Sequence, residues 1–399
     1  MIGGGIQEVE SVKIAQRLGF FTIVTDRNQN APCFAKADLG VHLDGTDIKG
    51  ISSFIRKHKA LYDVRGVFTC ANLGTTVAAV AARCGLPGVS PKAARLGDDK
   101  AAQKKLLAAH GVPTPRFFPV STYAQALRAY RRVGPGAVIK PSDSFGGQGV
   151  RKVASERELK AAYAEAKRYS GGRPIVVEEH VRGRFFDLEG IFCKGRFYPL
   201  AILDSYFTDT AAGASVSPIE YKNVYPAQID EKTKRMLFDV TEKAARALGI
   251  DFGPVATDMV LTGKGPMIIE VSARLHGISA NLQLIPRASG IKPVEALIKV
   301  MTGGSIRLSE TKPRLSGVAI NRCFLPPPGV ITGIKGADRL TRDKSIVKLF
   351  LFKKPGDTIR YRNSGDVPAM VMAVASTLGR AEAAVAKAES LLKITTRKK

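Results

Sequence analysis

The chain has 399 residues, 45% hydrophobic and 24% charged, which is the composition of an ordinary soluble globular protein with room for several domains. It has no unbroken apolar run of about 18 residues and no signal peptide ahead of its first glycines, which excludes a transmembrane helix. Five scattered cysteines, none in a C-x-x-C pair, argue against a zinc knuckle or disulfide framework and for a cytoplasmic protein with reduced thiols. The formal net charge of +26 would suit nucleic acid, but the basic residues are spread along the chain, aromatics make up 7%, and no RNA-binding signature occurs. Nucleic acid is therefore not the expected partner, and anionic small molecules are.

The start reads β/α. "MIGGG" leads into an amphipathic helix, "QEVESVKIAQRLG", and an apolar strand, "FFTIVTD", that ends in Asp26. "ADLGVHL", "VRGVFTC" and the helix "GTTVAAVAARCGL" continue the alternation, which predicts a parallel sheet. Glycines followed about twenty residues later by an acid mimic the dinucleotide fingerprint, but Glu8 holds its third glycine position. The strand that should precede the glycines is nearly missing, so either it is clipped or the true start lies upstream.

"PKAARLGDDKAAQKKLLAAHGVPTP" predicts one helix ending at Gly111. Strands follow at "RFFPV", "GAVIKPS" and "GVRKVAS", with helices at 122–133 and "ERELKAAYAEAKRYS". "PIVVEEHV" is a strand, and "FFDLEGIFCKGRFYPLAIL" a hairpin about Lys194-Gly195. Next come the helix "DEKTKRMLFDVTEKAARALGI", a hairpin turning at 263–265, and the helix "KPVEALIKVMTGG". Beyond the prolines at 326–328 lies a strand-rich tail with a final helix.

Three stretches carry chemistry. In the hairpin at 255–274, a turn centred on Lys264 makes Asp258 and Glu270 cross-strand neighbours, roughly 5 Å apart at Cβ. Strand alternation brings Ser272 and Arg274 to the same face. Two adjacent carboxylates repel, and a divalent cation with a preference for hard oxygen ligands, such as Mg²⁺, relieves that. Arg274 could touch a transferring phosphoryl oxygen. The alternative is a surface hairpin with solvated charges. Lys140 ends the strand "AVIK", ahead of Gly146, Gly147 and Gly149, whose loop can lay backbone N–H groups around phosphate. An ordinary hairpin turn with a solvated lysine is the alternative. "VVEEHV" ends in Glu178-Glu179, which alone reads as a solvated acidic pair.

"VIKPSDSFGGQGV", then "VVEEHVRG", then an acid ahead of "EVSARLHG", in this order, resemble the ATP-grasp superfamily. Biotin carboxylase, carbamoyl-phosphate synthase, D-alanine–D-alanine ligase and the formate-using glycinamide ribonucleotide transformylase belong to it. The likeness spans nearly the whole chain, and the tail is similar to the C-terminal region of L-amino-acid ligases. It implies a multidomain α/β and α+β fold. A leading parallel-sheet domain would take 1–90, a grasp subdomain with a glycine-rich lid 91–177, a C-terminal grasp lobe with the metal site 178–308, and a small α+β domain 309–399.

The resemblance also implies roles. Lys100 and Lys140 would contact ATP phosphates, and the loop from Ser144 to Gly149 would close over them. Glu178, Glu179 and Val181 would line the adenine hinge, the last two through their backbone. Asp258, Glu270 and Ser272 would hold Mg²⁺ or Mn²⁺. Arg274, with Lys140, would stabilise an acyl-phosphate transition state. Ser272 stands where relatives often have Asn. Phe185 stands where many have a ribose-binding Glu, and Asp187, on the same strand face, is the substitute.

The implied activity is ATP-dependent joining of a small carboxylate to an amine, or to a thiol, through an acyl phosphate. An amino-acid or peptide-like carboxylate comes first among the substrates, with a transformylase-like nucleotide-biosynthesis reaction second. The stretch 204–226 would border the acceptor, and His276 and Asn281 would face the carboxylate. A homodimer is compatible with these readings. The rivals are an NAD(P)-dependent dehydrogenase on the first domain and a basic nucleic-acid-binding protein.

Overall fold

The computed structural model describes residues 1–208, 218–277 and 279–398. Its opening segment alternates as expected: helix α1 (Val9–Arg17), strands β1 (Ile23–Asp26) and β2 (Leu39–His42), then α2 (Ile48–Tyr62) and α3 (Gly74–Cys84). β1 and β2 run parallel, with Ile23 opposite Leu39. Ahead of the glycines the described residues form one bridge, Ile2 to Thr25. The run 64–70, expected as a strand, is not one. It is tied in by the bond from the Ile2 N–H to the Phe68 carbonyl, 3.0 Å.

The single helix expected over 91–110 is two, α4 (Pro91–Asp98) and α5 (Lys100–Ala109). Asp99 divides them. Its backbone leaves the helical region (φ −113°, ψ 93°), and its side chain accepts the Ala102 N–H at 3.0 Å. Such a cap satisfies a donor that has no helical partner. The break sets Lys100 at the first position of α5, where its N–H donates to the Ser142 carbonyl at 3.0 Å.

A four-stranded antiparallel sheet follows, from β3 (Phe117–Val120), β4 (Ala137–Pro141), β5 (Arg151–Val153) and β6 (Ile175–Glu178), in the order β3-β6-β4-β5. α6 (Tyr123–Val133) and α7 (Glu156–Tyr169) cover it, with Ile139, Leu159, Ile175 and Val177 in the shared core. The glycine loop, 142–150, joins neighbouring strands β4 and β5. β6 runs across the 177/178 boundary expected between subdomains.

The remaining elements are β7 (Arg184–Cys193), β8 (Arg196–Phe207), β9 (Glu220–Tyr225), α8 (Glu231–Ala247), β10 (Gly253–Thr262), β11 (Gly265–Ser272), a π-helical turn (Ala280–Leu284), α9 (Ile285–Ser289) and α10 (Pro293–Met301). After them come β12 (Val318–Phe324), β13 (Gly329–Lys335), α11 (Ala337–Thr341), β14 (Ile346–Leu351), β15 (Thr358–Ile359), β16 (Ala369–Ala375), α12 (Leu378–Leu391) and β17 (Lys393–Arg397). An eight-stranded antiparallel sheet runs β11-β10-β7-β8-β9-β12-β16-β14, and β15-β13-β17 form a small fourth sheet. The large sheet crosses residue 308, since β12 hydrogen-bonds to β9.

Strand alternation divides the large sheet's faces. Phe186, Leu188 and Phe192 of β7 pack with Leu237, Ala244 and Leu248 near or on α8. Asp187 and Glu189 therefore point to the opposite face, where Glu189 is fully buried.

Candidate active site

Lys140, at the end of β4, lies with its Nζ 2.6 Å from one oxygen of Glu178, at the end of β6. The other oxygen is 2.8 Å from Lys104 Nζ on α5. All three are nearly fully buried. Burial alone would raise the Glu178 carboxyl, but Lys104 and Lys140 overcome it and hold it below the usual range. Burial pushes Lys104 down to about 8, against the pull of Glu178. Two ammonium groups share one carboxylate, so the cluster keeps a surplus positive charge, which favours an anion beside it. Glu178 is thus no solvated strand end. The next residue, Glu179, donates its N–H to the Arg116 carbonyl at 2.9 Å, and 179–181 lead out of the sheet.

Asp258 and Glu270 are directly opposed on β10 and β11. The turn is not centred on Lys264, however. Thr262 opposes Gly265 and Met259 opposes Ile268, which would bring Ile269 to Asp258. A β-bulge at Ile269 adds one residue to β11 and restores the carboxylate pair. Gln103 anchors this strand to α5: its amide donates to the Val271 carbonyl at 2.7 Å and accepts the Val271 N–H at 2.9 Å.

Each carboxylate is held by a cation. Glu270 Oε1 is 3.0 Å from Lys100 Nζ, which also donates to the Ser144 carbonyl at 2.8 Å. Asp258 Oδ1 is 2.6 Å from His276 Nε2, and His276 Nδ1 is 3.4 Å from Glu189. Burial opposes a charge on His276, but Glu189 and Asp258 overcome it and raise the imidazole well above its ordinary value. Asp258 is lowered despite burial, with His276 as the main cause. Ser272, on the Glu270 face, is 4% exposed. Hard oxygen donors from Asp258, Glu270 and Ser272 fit Mg²⁺ or Mn²⁺, provided Lys100 and His276 yield to the ion.

Among the described residues, Asp187, Asp258 and His276 bring three ligand-type atoms within 4.8 Å of one another. Asp187 opposes Asp258 across β7 and β10, so its place is beside the carboxylate pair. Asn281 does not face a substrate carboxylate. It is 1% exposed, and its amide donates to Glu189 at 2.7 Å and to the His276 carbonyl at 3.3 Å, leaving no donor for an incoming anion. His276 likewise serves Asp258 and Glu189. Of the stretch 204–226, residues 209–217 lie outside the described residues.

The glycine loop borders Lys100 and Arg274. Gly146, Gly147 and Gly149 have φ of 61°, 78° and 70°, in the left-handed region that favours glycine. The Phe145 ring lies 5.8 Å from Lys100 Nζ and 5.9 Å from Arg274 Cζ, between the two cations. The Gly146 carbonyl accepts from the Ser364 N–H at 3.0 Å and the Ser364 hydroxyl at 3.1 Å, which ties the loop tip to the C-terminal segment. Arg274 Nη1 donates to the Leu275 carbonyl at 3.0 Å, while its Nε is buried with no hydrogen-bond partner. The Ser144 hydroxyl is also buried without one. Buried polar atoms without a partner are uncommon in folded proteins.

The N-terminal glycines do not build a dinucleotide site. Asp26 spends its carboxylate on the Gly4 N–H, at 2.8 Å, and on Asn28. The Glu8 carboxylate lies over Gly5, where a Cβ would fall 2.6 Å from its oxygen, so an acid occupies the pyrophosphate position.

Lys104 and Glu189 were invisible to sequence reading. Lys104 looks like any charged helix residue, and Glu189 like one acid in an apolar strand. An acid two residues from Asp187 on the same strand face was the one available signal.

Residues 97–278 match the ATP-grasp domain family, and residues 322–397 match L-amino acid ligase C-terminal domain 2. The uncharacterized protein y4rH of Sinorhizobium fredii is 28% identical over 356 residues, covering 86% of this chain and 71% of its own. Phosphoribosylamine–glycine ligase of Methanocaldococcus jannaschii is 24% identical over 433 residues, covering 98% of this chain and 93% of its own. The crystal structure of L-amino acid ligase from Bacillus licheniformis shares the fold, with a TM-score of 0.83 and 21% identity over 100% of this chain and 98% of that one.

Proposed function

This chain belongs to the ATP-grasp superfamily and is an ATP-dependent ligase, and on that footing we propose that it joins an amino-acid or peptide-like carboxylate to an amine through an acyl phosphate. The observation that carries the reading is the pairing of Asp258 with Glu270, each held by a cation, beside the Lys104–Glu178–Lys140 cluster. Positive groups and a pair of carboxylates in one cleft suit a nucleoside triphosphate and its metal ion.

In this reading Lys140 and Lys100 bind ATP phosphates, and residues 178–181 receive the adenine. Lys100 leaves Glu270 for phosphate, and His276 releases Asp258. Asp258, Glu270 and Ser272 would be the groups that hold Mg²⁺, which would supply neutralisation of phosphate charge when bound. The substrate carboxylate oxygen attacks the γ-phosphorus and ADP leaves. Arg274, with its unpaired Nε, steadies the charge on the transferred group. The neutral amine then attacks the acyl carbon, the C–O bond to phosphate breaks, and the proton lost by the amine leaves on hydrogen phosphate, giving an amide. The lid keeps water from the acyl phosphate while it exists.

A phosphate-release screen of paired amino acids and small carboxylates, with ATP and Mg²⁺, tests this. Release that needs both a carboxylate and an amine supports it; release with a carboxylate alone, or with none of the pairs, overturns it. The end-to-end match to phosphoribosylamine–glycine ligase favours a second reading, in which the amine belongs to a phosphorylated sugar.

A further inference from the structure

The register of the large sheet builds a polar row across six strands. Glu270 opposes Asp258, and Asp258 opposes Asp187. Asp187 opposes Leu203, so Ser205, two residues on, shares its face. Ser205 opposes Asn223, and Asn223 opposes Asn321. The row thus runs from β11 to β12, on the face turned away from α8. Ser205, Asn223 and Asn321 are buried, where apolar side chains would be the stable choice.

Hydrogen bonds join the row's far half. Asn223 Nδ2 has three acceptors within reach of its two N–H groups: Asp187 Oδ2 at 3.3 Å, Ser205 Oγ at 3.3 Å and Glu220 Oε1. Asn321 Nδ2 donates to Asn223 Oδ1 at 3.2 Å. One atom is left over: Asn321 Oδ1 accepts nothing, on a side chain that is 9% exposed. A buried acceptor without a donor is costly, and an incoming N–H would satisfy it. Asp187 and Glu220, half-buried and both in contact with the Asn223 amide that links them to Asn321, also accept hydrogen bonds when ionised and repel anions.

We propose that Asp187, Glu220 and Asn321 form the acceptor subsite, which binds the amino group of the second substrate on the same sheet face as Asp258 and Glu270; this rests on the carboxylate–amine reading. The assignment explains why acids and amides persist on β7, β9 and β12, away from the nucleotide lysines. It also gives the last part of the chain, through β12, a direct share in the choice of amine.

Two measurements on the full chain test the subsite. In steady-state assays with ATP and carboxylate saturating, Glu220→Gln and Asn321→Leu should each raise the amine KM tenfold or more. The KM for ATP and for the carboxylate should stay within twofold. Calorimetric titration with L-alaninamide, an amine with no free carboxylate, should show binding that Glu220→Gln weakens at least tenfold. N-acetyl-L-alanine should show no such dependence on Glu220. Alaninamide binding without phosphate release from any substrate pair would end the ligase reading and leave the subsite standing. Phosphate release with alaninamide binding equal in Glu220→Gln and the parent protein, or a KM rise confined to ATP or the carboxylate, would overturn the subsite.

Discussion

Lys140 and Glu178 meet at 2.6 Å, and neither side chain is more than 5% exposed. Removing one partner from such a buried group strands the other. Glu178→Gln would leave Lys140 and Lys104 without their counter-charge, and breaking a buried pair this way costs about 3 to 5 kcal/mol. Denaturant titration should show a loss of that size. ATP should recover part of it if its phosphates supply the missing negative charge. A loss under about 1 kcal/mol would mean the lysines have another anchor.

Lys104 gives a pH dependence with a definite sign. Its folded-state pKa is about 8, below the 10.5 of a free lysine. Between these values the unfolded chain binds the proton and the folded chain does not, so stability from this group rises with pH. Comparing the parent protein with Lys104→Met at pH 7 and at pH 10 isolates the effect. The balance should shift toward the parent protein by about 3 kcal/mol at most across that window. A shift in the opposite direction would show that Glu178 holds the ammonium more firmly than burial expels it.

Glu270→Ala removes one half of the carboxylate pair and frees Lys100. Mg²⁺-dependent phosphate release should fall about a thousand-fold or more, as when a group that steadies transition-state charge is lost. The melting temperature should fall as well, because Lys100, whose side chain is 6% exposed, loses its counter-charge and keeps the Ser144 carbonyl as its acceptor. Full turnover by this variant would remove Glu270 from the metal site.

Gly146→Val should slow turnover far more than it lowers stability. A Cβ there would fall 2.7 Å from the Ser364 hydroxyl, and φ of 61° already penalises a branched residue by about 1 to 2 kcal/mol. The loop can yield locally, so global unfolding should shift by less than about 1 kcal/mol. On the proposed lid role of this loop, a fall in kcat of at least about tenfold is expected. Ser364→Ala, which removes the hydroxyl but keeps the N–H bond, should have a milder effect.

Local signals made much of this site legible. The glycines at 263 and 265 predicted the hairpin, and the hairpin predicted that Asp258 would face Glu270. The bulge at Ile269 was not legible, because an extra strand residue has no composition of its own. Asp99 was hidden for a related reason: it sits in an apolar helical pattern, and only its cap on Ala102 breaks the helix. Lys104, Glu189 and Asn281 owe their roles to partners at least 74 residues away in sequence or buried in another strand. No periodicity reports such contacts. The run 64–70 has strand composition, but strand composition needs a neighbour to pair with.

The bonding of β9 to β12 bears on how this protein could be shortened or recombined. A cut after residue 308 looks harmless in a chain of modules. Here it would strip the partner from β9 and expose an open row of backbone donors and acceptors, with Val224 and Ile320 no longer facing each other. Bare edges of that kind recruit other chains. Fragments ending there should aggregate, and a graft that exchanges the C-terminal segment with a relative's must carry a strand in the register of β12.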